Sequence, residues 1–433
     1  MASLSTSTEP IAIPAGGVAR GVVEVPGSKS ATHRVLNLAL LAGRELLVER
    51  PLLAEDTELF LAALRTCGFA VERGPAAVRL APGAPPAAAA IFCGNAGTML
   101  RFLVASLATR PGEWTLDGVE RLRERPVGPL VAALRQLGAE IEFLGRAGFP
   151  PLRVGGATLA GGRATLDAGE SSQYLSALLM AGLGARRSVE IEVRALTSAP
   201  YVDLTRRAIA AFGGRVHRAG AVFRVEPTRL GAARVAVEGD YSAACYPAAA
   251  AALTGGEVEL RGLDPDSAQG DRGFLELLER MGARVERAAD RIVVCGGPDL
   301  AALDVDLAAM PDQVPTLAAL APFARGTTRI RNVPHLRIKE SDRLAVMAVG
   351  LRAAGAAVEE RPDGLEIPGV WADGKPGSGP VAIDPRRDHR IAMSFAVLGL
   401  RRPGVTIEHP EVVAKSYPDF WRDFLRLVQA GRA

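Results

Sequence analysis

The phrase LRQLGAEIE at residues 134–142 decides the fold, because related phrases recur along the chain. They are LRTCGFAVE at 64–72, IAAFGGRVH at 209–217, LERMGARVE at 278–286 and LRAAGAAVE at 351–359. Their first residues are 70, 75, 69 and 73 positions apart, and a further step of 73 reaches Phe424. A fixed period of this length predicts a repeat architecture, and six such units fill the chain.

Each phrase has the pattern of an amphipathic helix that ends at a glycine and is followed by a β-prone segment. An apolar, helix-like run precedes it, such as AGTMLRFLVASLA at 96–108, and a short strand such as SVEIEV at 188–193 lies between. Alternating helices and strands predict an α/β fold. We expect two domains of three units each, residues 26–237 and residues 1–25 with 238–433, the second including a strand from the N-terminal segment.

The composition excludes several classes of function. The 433 residues are 48% hydrophobic, with 51 basic and 48 acidic side chains and 5% aromatic residues. This balance predicts a globular protein and gives no reason to expect binding to nucleic acid or to a membrane surface. No cysteine pair has the C-x-x-C spacing of a zinc or redox site. The start MASLSTSTEP lacks a signal-peptide pattern, and no apolar run is long enough to span a bilayer, so we expect a cytoplasmic protein.

The stretch VPGSKSATHR at 25–34 resembles a phosphate loop without matching one. Ser28 stands directly before Lys29 where a nucleotide-binding loop requires glycine, so an ATPase of that type is excluded. Lysine is otherwise rare: Lys29, Lys339, Lys375 and Lys415 are the four lysines among 51 basic residues. Lys375 lies in a polar loop, and the other three lysines are candidates for binding anions.

Cations lie near the predicted starts of several helices, where the helix dipole disfavours positive charge. They are Lys29, Arg34, Arg125, Lys339, Arg343, Arg390 and Lys415. If the two domains face each other through these helix ends, the cleft between them is a site for several anions. Asp312 and Glu340 lie within this set, and the pattern suits a general base as well as a structural ion pair. Thr57, Ser242 and Asp271 are expected to cap helices.

Nine motifs in order resemble those of the 5-enolpyruvylshikimate-3-phosphate synthase family. They are PGSKSATHR, GNAGTMLR, RERPVGPL, SSQYLSALLM, SAPYVDLT, PDQVPTLA, IKESDRLAVMA, DHRIAMSFA and AKSYPDF. The resemblance runs from about residue 21 to 424. It implies an α/β fold of two domains, each an inside-out α/β barrel of three βαβαββ repeats. It also implies a monomeric enzyme of chorismate biosynthesis that uses no metal or organic cofactor.

The resemblance implies a transfer of the enolpyruvyl group from phosphoenolpyruvate to the 5-hydroxyl of shikimate 3-phosphate. Asp312, Glu340 and Lys29 would be catalytic. The residues implied for shikimate 3-phosphate are Lys29, Ser30, Arg34, Ser171, Ser172, Gln173, Ser198, Tyr201, Asp312, His335 and Lys339. The residues implied for phosphoenolpyruvate are Lys29, Asn95, Gly97, Arg125, Gln173, Arg343, His389, Arg390 and Lys415.

Three positions depart from the family pattern, and other functions compete with this one. His33 and His335 stand where many relatives have asparagine, and Phe102 stands where a common relative has proline. A histidine at 335 predicts an affinity for substrate that depends on pH. The main alternative is UDP-N-acetylglucosamine enolpyruvyl transferase, which usually has a loop cysteine that this chain lacks between Cys93 and Cys245. A non-catalytic homologue and a domain of a longer multi-enzyme chain are further alternatives.

Overall fold

The computed structural model describes residues 8–156 and 159–430. The expected domains also include residues 1–7, 157–158 and 431–433, which lie outside the described residues. Contacts between Cα atoms divide the chain into two compact units. Gly27–Val237 form what we name the middle unit, and Met1–Pro26 together with Glu238–Ala433 form the split unit.

Helices alternate with strands along most of the chain. The α-helices are α1 (Lys29–Ala42), α2 (Glu55–Thr66), α3 (Gly97–Leu107), α4 (Glu120–Arg123), α5 (Gly128–Gln136), α6 (Ser172–Gly182), α7 (Pro200–Ala211), α8 (Tyr241–Thr254), α9 (Phe274–Met281), α10 (Val314–Leu320), α11 (Arg343–Ala353), α12 (His389–Gly399) and α13 (Phe420–Ala430). Short 3-10 helices cover Gly270–Gly273, Pro311–Gln313, Ala321–Phe323, Pro334–Ile338 and Pro410–Lys415. None of the helices in the described part of the chain is long and apolar enough to cross a membrane.

The strands are short and lie between these helices. They are β1 (Ile11–Ala12), β2 (Arg20–Glu24), β3 (Leu46–Glu49), β4 (Phe69–Arg73), β5 (Ala77–Pro82), β6 (Ala88–Phe92), β7 (Gly112–Asp117), β8 (Glu140–Phe143), β9 (Leu152–Gly156), β10 (Gly162–Ala168), β11 (Val189–Leu196), β12 (Val216–Ala219), β13 (Val222–Val225), β14 (Arg234–Ala236), β15 (Glu257–Arg261), β16 (Arg284–Arg287), β17 (Arg291–Cys295), β18 (Leu300–Ala301), β19 (Asp304–Asp306), β20 (Ala324–Arg325), β21 (Thr327–Arg331), β22 (Glu359–Arg361), β23 (Gly364–Pro368), β24 (Val381–Ile383) and β25 (Val405–Ile407). The mixed α/β fold predicted from the sequence is therefore confirmed.

The four-stranded sheets share one topology. Their strand orders are β14-β3-β5-β4, β6-β7-β9-β8, β10-β11-β13-β12, β2-β15-β17-β16 and β19-β21-β23-β22. In each sheet the first pair is parallel and the next two pairs are antiparallel. A parallel pair needs a crossover, which a helix supplies within the repeats. The first and fourth repeats instead take their parallel strand from a distant segment, β14 and β2 respectively.

The recurring phrases have the local structure that their sequence predicts. In the second repeat α5 ends at Gln136, Gly138 has a φ of 91° and β8 begins at Glu140. Glycine has no Cβ, so it adopts this left-handed conformation without strain and turns the chain from helix to strand. The equivalent glycines are also left-handed, and they are Gly68, Gly213, Gly282 and Gly355.

The core of each unit is built on the first helix of each repeat. In the middle unit α1, α3 and α6 contact one another, and in the split unit α8, α10 and α12 do so. Nearly every residue of these helices is buried, polar ones included. A helix that is apolar on all sides must be covered on all sides. The polar residues of these helices lie mainly near the helix N-termini, where the predicted site residues are found.

Candidate active site

The stretch around Lys29 is a helix cap that carries a largely buried cation. Ser28 is the N-cap of α1, and its hydroxyl accepts a hydrogen bond from the Ala31 amide at 3.4 Å. The Lys29 ammonium lies 3.4 Å from Oδ2 of Asp56, and the exposed fractions of these side chains are 13% and 5%. A serine in the position before the helix satisfies a backbone N–H group that would otherwise have no partner. The local sequence therefore fixes the point from which the Lys29 side chain extends.

Arg34 connects the start of α1 to the start of α7. Its Nε donates to Thr205 Oγ1 at 2.8 Å, Nη1 donates to the Ser30 carbonyl at 2.8 Å and Nη2 donates to the Tyr201 carbonyl at 2.9 Å. Burial lowers the pKa of Arg34 to about 10, so the side chain remains charged near neutral pH. The guanidinium thus brings the predicted ligands Ser30 and Tyr201 together.

Arg125 is packed against the backbone at the start of α3. Its Nη1 donates to the Asn95 carbonyl at 3.0 Å. A Cβ atom built on Gly97 would lie 2.6 Å from Arg125 Cζ, which is shorter than any ordinary contact. The guanidinium therefore occupies space that a side chain at position 97 would need. Arg125 thus forms one cluster with Asn95 and Gly97, which precede it by about thirty positions in the sequence.

Gln173 has its carboxamide fixed at both ends by residues of α3. Nη1 of Arg101 donates to Gln173 Oε1 at 2.7 Å, and Gln173 Nε2 donates to Thr98 Oγ1 at 2.9 Å. Nη2 of Arg101 also donates to the carbonyl of Pro126, the residue after Arg125, at 2.9 Å. Arg101 is not among the site residues predicted from the sequence, although it lies within the motif GNAGTMLR. A charged residue inside an otherwise apolar helix is the feature of the sequence that could have identified Arg101 as a site residue.

The serines expected to bind substrate are placed at the starts of two helices. Ser171 is the N-cap of α6 and accepts a hydrogen bond from the Gln173 amide at 3.3 Å, and Ser172 is the first helical residue. Ser198 precedes α7 and has a φ of 51°, a left-handed conformation that costs a non-glycine residue about 1–3 kcal/mol. All three serines are buried. Backbone strain at Ser198 marks it as a position that the surrounding structure holds in place.

In the split unit, Arg343 joins three carboxylates. Its Nε donates to Asp388 Oδ2 at 2.8 Å, Nη1 donates to Asp312 Oδ1 at 2.7 Å and Nη2 donates to Glu340 Oε2 at 2.9 Å. The second oxygen of Asp312 accepts from Nη2 of Arg390, also at 2.7 Å. The two acids expected to act as catalysts are therefore held by the same guanidinium.

Asp388 anchors this network, although it is not among the site residues predicted from the sequence. It is fully buried and caps α12 by accepting from the Arg390 amide at 3.0 Å. It also accepts from Ser341 Oγ at 3.0 Å, next to Glu340. Nδ1 of His389 lies 3.8 Å from its Oδ1. One carboxylate thus positions α11, α12 and the residue that follows Glu340.

The cations of the split unit keep Asp312 ionised. Burial alone would raise the pKa of Asp312, but Arg390, Arg343 and Lys339 outweigh burial and hold that pKa well below its usual range. The pKa of His335 is lowered to about 4, by burial first and then by Lys339. His335 is therefore neutral near pH 7, and its own titration lies well below the neutral range. Asp312 is a carboxylate under the same conditions.

The structure corrects two expected helix caps. Asp240 is the N-cap of α8, whereas the Ser242 hydroxyl donates to Oδ2 of Asp271. Asp271 lies inside the 3-10 helix Gly270–Gly273 and caps nothing, because its side chain turns into the protein interior. Thr57 does take part in a cap, since its hydroxyl accepts from the Ala54 amide at 2.8 Å.

Lys415 differs from the other cations in its local structure. It was predicted at a helix start, but it ends the 3-10 helix Pro410–Lys415 and α13 begins only at Phe420. This 3-10 helix packs against α12, and Lys415 is buried. In residues 8–156 and 159–430, no group of three or more His, Cys, Asp or Glu side chains is arranged to hold a metal ion.

Comparisons with known proteins agree on one family. Residues 14–424 match the family model for EPSP synthase, 3-phosphoshikimate 1-carboxyvinyltransferase. The chain is 48% identical over 420 residues to the 3-phosphoshikimate 1-carboxyvinyltransferase of Syntrophobacter fumaroxidans, covering 96% of this chain and 98% of that protein. It is 44% identical to the enzyme of that name from Methanoculleus marisnigri, covering 92% and 94% of the two chains.

The solved structures give the same result. An EPSP synthase from Acinetobacter baumannii superimposes with a TM-score of 0.79 at 31% sequence identity, covering 96% of this chain and 97% of that one. None of these names favours the UDP-N-acetylglucosamine alternative. The chain belongs to the EPSP synthase family of 3-phosphoshikimate 1-carboxyvinyltransferases.

Proposed function

We propose that this protein transfers the enolpyruvyl group of phosphoenolpyruvate to the 5-hydroxyl of shikimate 3-phosphate and releases phosphate. The observation that carries the proposal is the contact of Asp312 with both Arg343 and Arg390, beside Glu340. A carboxylate held ionised by cations can accept a hydroxyl proton. Guanidinium groups suit the carboxylate and phosphate of an anionic donor. The names of the relatives describe the same reaction.

Each substrate is assigned the residues that the family resemblance implies for it. Phosphoenolpyruvate binds through arginine guanidinium groups and through Lys29 and Lys415. Its complete set is Lys29, Asn95, Gly97, Arg125, Gln173, Arg343, His389, Arg390 and Lys415. Shikimate 3-phosphate binds the serines and cations at the starts of α1, α6 and α7 and the acids of the split unit. Its complete set is Lys29, Ser30, Arg34, Ser171, Ser172, Gln173, Ser198, Tyr201, Asp312, His335 and Lys339.

The reaction is an addition followed by an elimination. Asp312 takes the proton of the 5-hydroxyl as its oxygen bonds to C2 of the donor, while Glu340, which enters this step protonated, gives its proton to the methylene carbon. The product of this step is a tetrahedral intermediate that carries the phosphate. Glu340 then takes a proton from the methyl group, the C–O bond to phosphate breaks, and the enol ether forms. The proton held by Asp312 leaves with the phosphate, so both acids return to their starting states. Lys29 neutralises charge that develops on the departing phosphate.

The fold proposed for this function is a two-domain inside-out α/β barrel. The middle unit and the split unit would be its domains, each with three βαβαββ repeats. In support, the four-stranded sheets share one topology, and β24, β25 and β1 form a shorter version of it. The cytoplasmic location, the monomeric state and the absence of a cofactor remain predictions from the sequence.

The test is phosphate release by the purified protein in the presence of phosphoenolpyruvate. Shikimate 3-phosphate and UDP-N-acetylglucosamine are offered separately as acceptors. We expect release with shikimate 3-phosphate alone, a loss of about 10²–10⁴-fold in Asp312→Asn, and no change in Asp290→Asn, which removes an exposed carboxylate. Release with the nucleotide sugar alone would establish the sister reaction. Release with neither acceptor would favour a non-catalytic homologue.

A further inference from the structure

Asp271 is a buried carboxyl group next to the turn that carries Asp312. It is 2% exposed and lies in the 3-10 helix Gly270–Gly273. Its Oδ2 accepts hydrogen bonds from the Ser242 hydroxyl and, at 3.2 Å, from Gln313 Nε2. Gln313 directly follows Asp312 and is itself fully buried. The carboxyl group therefore ties the start of α8 to the turn Pro311–Gln313.

The surroundings of Asp271 are unusual for a buried acid. Its Oδ1 is buried without a hydrogen-bond partner, and no cation forms an ion pair with it among the described residues. A buried carboxyl group with so few partners is costly in stability when it is ionised. An unsatisfied buried group of this kind calls for an explanation, of which a catalytic role is one.

We propose that Asp271 is a positioning residue for Asp312: its carboxyl group fixes the turn Pro311–Gln313 through the Gln313 side chain and adds a negative charge beside that turn. The inference rests on the proposed function, in which Asp312 is the base. Two arginines make Asp312 a weak base, whereas proton abstraction from a hydroxyl group requires proton affinity. A nearby carboxylate offsets part of their effect, because like charges disfavour ionisation of each other.

Asp271 titrates in a pH range in which the activity of the protein can be measured. Burial raises its pKa to about 6, and the charge of Asp312 adds to this effect. The opposing groups are Arg390 on α12 and the hydrogen bonds from Ser242 and Gln313. Cys245 on α8 also faces the group, and burial raises the pKa of its thiol well above the usual value, so it is neutral. Asp271 is therefore ionised above about pH 6, where its charge acts on Asp312.

The experiment compares the pH dependence of kcat for wild type and three variants from about pH 5 to about pH 9. Asp271→Asn keeps the shape of the side chain and removes its charge. Ser242→Ala removes a donor that favours the ionised form. Asp266→Asn, which removes an exposed carboxylate in the same loop, is the control. The substrate phosphates ionise near pH 6 as well, but they do so equally for every variant.

We expect Asp271→Asn to lower kcat about tenfold above pH 7. We also expect it to lose the acid limb, which is the fall in kcat on acidification near pH 6 that titration of the enzyme causes. We expect Ser242→Ala to move that limb to higher pH and Asp266→Asn to match wild type. Wild-type kcat and an unchanged acid limb in Asp271→Asn would overturn the inference. If Asp271→Asn does not fold, the inference would be overturned by an acid limb in Ser242→Ala that lies at the same pH as in wild type.

A spectroscopic measurement separates this inference from the proposed function. Infrared difference spectra of the protein without substrate detect the carbonyl stretch of a protonated carboxylic acid. We expect the band to appear on acidification through about pH 6 in wild type and to be absent in Asp271→Asn. Its midpoint should fall in Asp312→Asn, because a like charge is removed. An unchanged midpoint would refute the coupling even if wild type released no phosphate at all.

Discussion

Replacing Asp388 by alanine should weaken α12 and the acids of the split unit together. The carboxylate accepts from the Arg390 amide, from Ser341 Oγ and from Arg343 Nε, at 3.0, 3.0 and 2.8 Å. Loss of the N-cap costs about 1 kcal/mol. Removing one partner of a buried ion pair costs about 3–5 kcal/mol. Because Arg343 keeps Asp312 and Glu340 as partners, we take the lower value, and the two effects together amount to about 4 kcal/mol.

The assay is hydrogen exchange of the α12 amides, read by mass spectrometry. Peptides from α3 in the middle unit serve as an internal reference. The free energy of local opening in α12 should fall by about 4 kcal/mol in Asp388→Ala. It should fall by about 3 kcal/mol in Asp388→Asn, since an amide oxygen still caps the helix. Asp384→Asn, which removes the charge of a partly exposed carboxylate in the same loop and keeps its Oδ1 acceptor, should change it by less than about 0.5 kcal/mol.

Activity should fall further than the folded fraction alone explains. Without Asp388, Arg343 loses the contact that orients it toward Asp312 and Glu340. We expect kcat to drop at least tenfold in Asp388→Ala at a temperature where the protein is fully folded. Unchanged exchange in α12 together with wild-type kcat would refute the assignment of Asp388 as the anchor of this network.

Three further predictions concern single side chains. In Gly97→Ala the new Cβ would lie 2.6 Å from Arg125 Cζ, so the guanidinium must move and the KM for phosphoenolpyruvate should rise about tenfold. The control Gly379→Ala places its Cβ where no atom lies within 4 Å, and it should match wild type. The pKa of His335 falls from 6.5 to about 4 on folding, so its stabilising contribution is present above pH 6.5 and is lost as pH falls toward 4; His335→Asn should flatten this part of the stability curve in thermal denaturation. On folding, the pKa of Asp271 rises from 3.8 to about 6, so the stability of the protein falls as pH rises through this range. In urea unfolding, Asp271→Asn should be up to about 3 kcal/mol more stable than wild type above pH 6 and no more stable than wild type below pH 4.

Much of the fold could be predicted because each repeat has recognisable local sequence patterns for its helices and strands. The helix starts at Lys29, Ser172 and His389 follow from capping residues and apolar periodicity, which act over a few positions. The start at Gly97 has no side-chain cap and follows from apolar periodicity alone. Lys415 was placed wrongly, because a 3-10 helix followed by a break has no distinct periodicity. The strand pairings of β14 and β2 depend on contacts far apart in sequence. Local patterns carry no information on such pairings.

The site was predictable as a set of residue types and not as a set of contacts. Charged residues at helix starts suggested anion binding, but spacing cannot tell which carboxylate accepts from which guanidinium. Arg101 and Asp388 were missed because they bind other site residues through side-chain contacts across repeats. Asp271 was taken for a cap because its sequence position allows one. The direction of its side chain, toward Ser242 and Gln313, decides otherwise.

The two units hold their buried arginines differently. In the middle unit, Arg34 donates to two backbone carbonyls and to the Thr205 hydroxyl. In the split unit, Arg343 and Arg390 donate to carboxylates. A cation in an ion pair must exchange one anion for another when it binds a substrate. We therefore expect an anionic substrate that binds Arg343 or Arg390 to replace part of these ion pairs.

In the split unit the same exchange has a chemical consequence. Both oxygens of Asp312 accept from arginines that are assigned to phosphoenolpyruvate, and these cations hold its pKa low. When an anionic donor takes hydrogen bonds from Arg343 or Arg390, their effect on Asp312 decreases and its pKa rises toward the range of a useful base. We therefore expect proton abstraction by Asp312 to be favoured once the donor is bound. In the proposed reaction, the ion pairs that stabilise the unliganded unit would keep the base weak until the enolpyruvyl group is present to react.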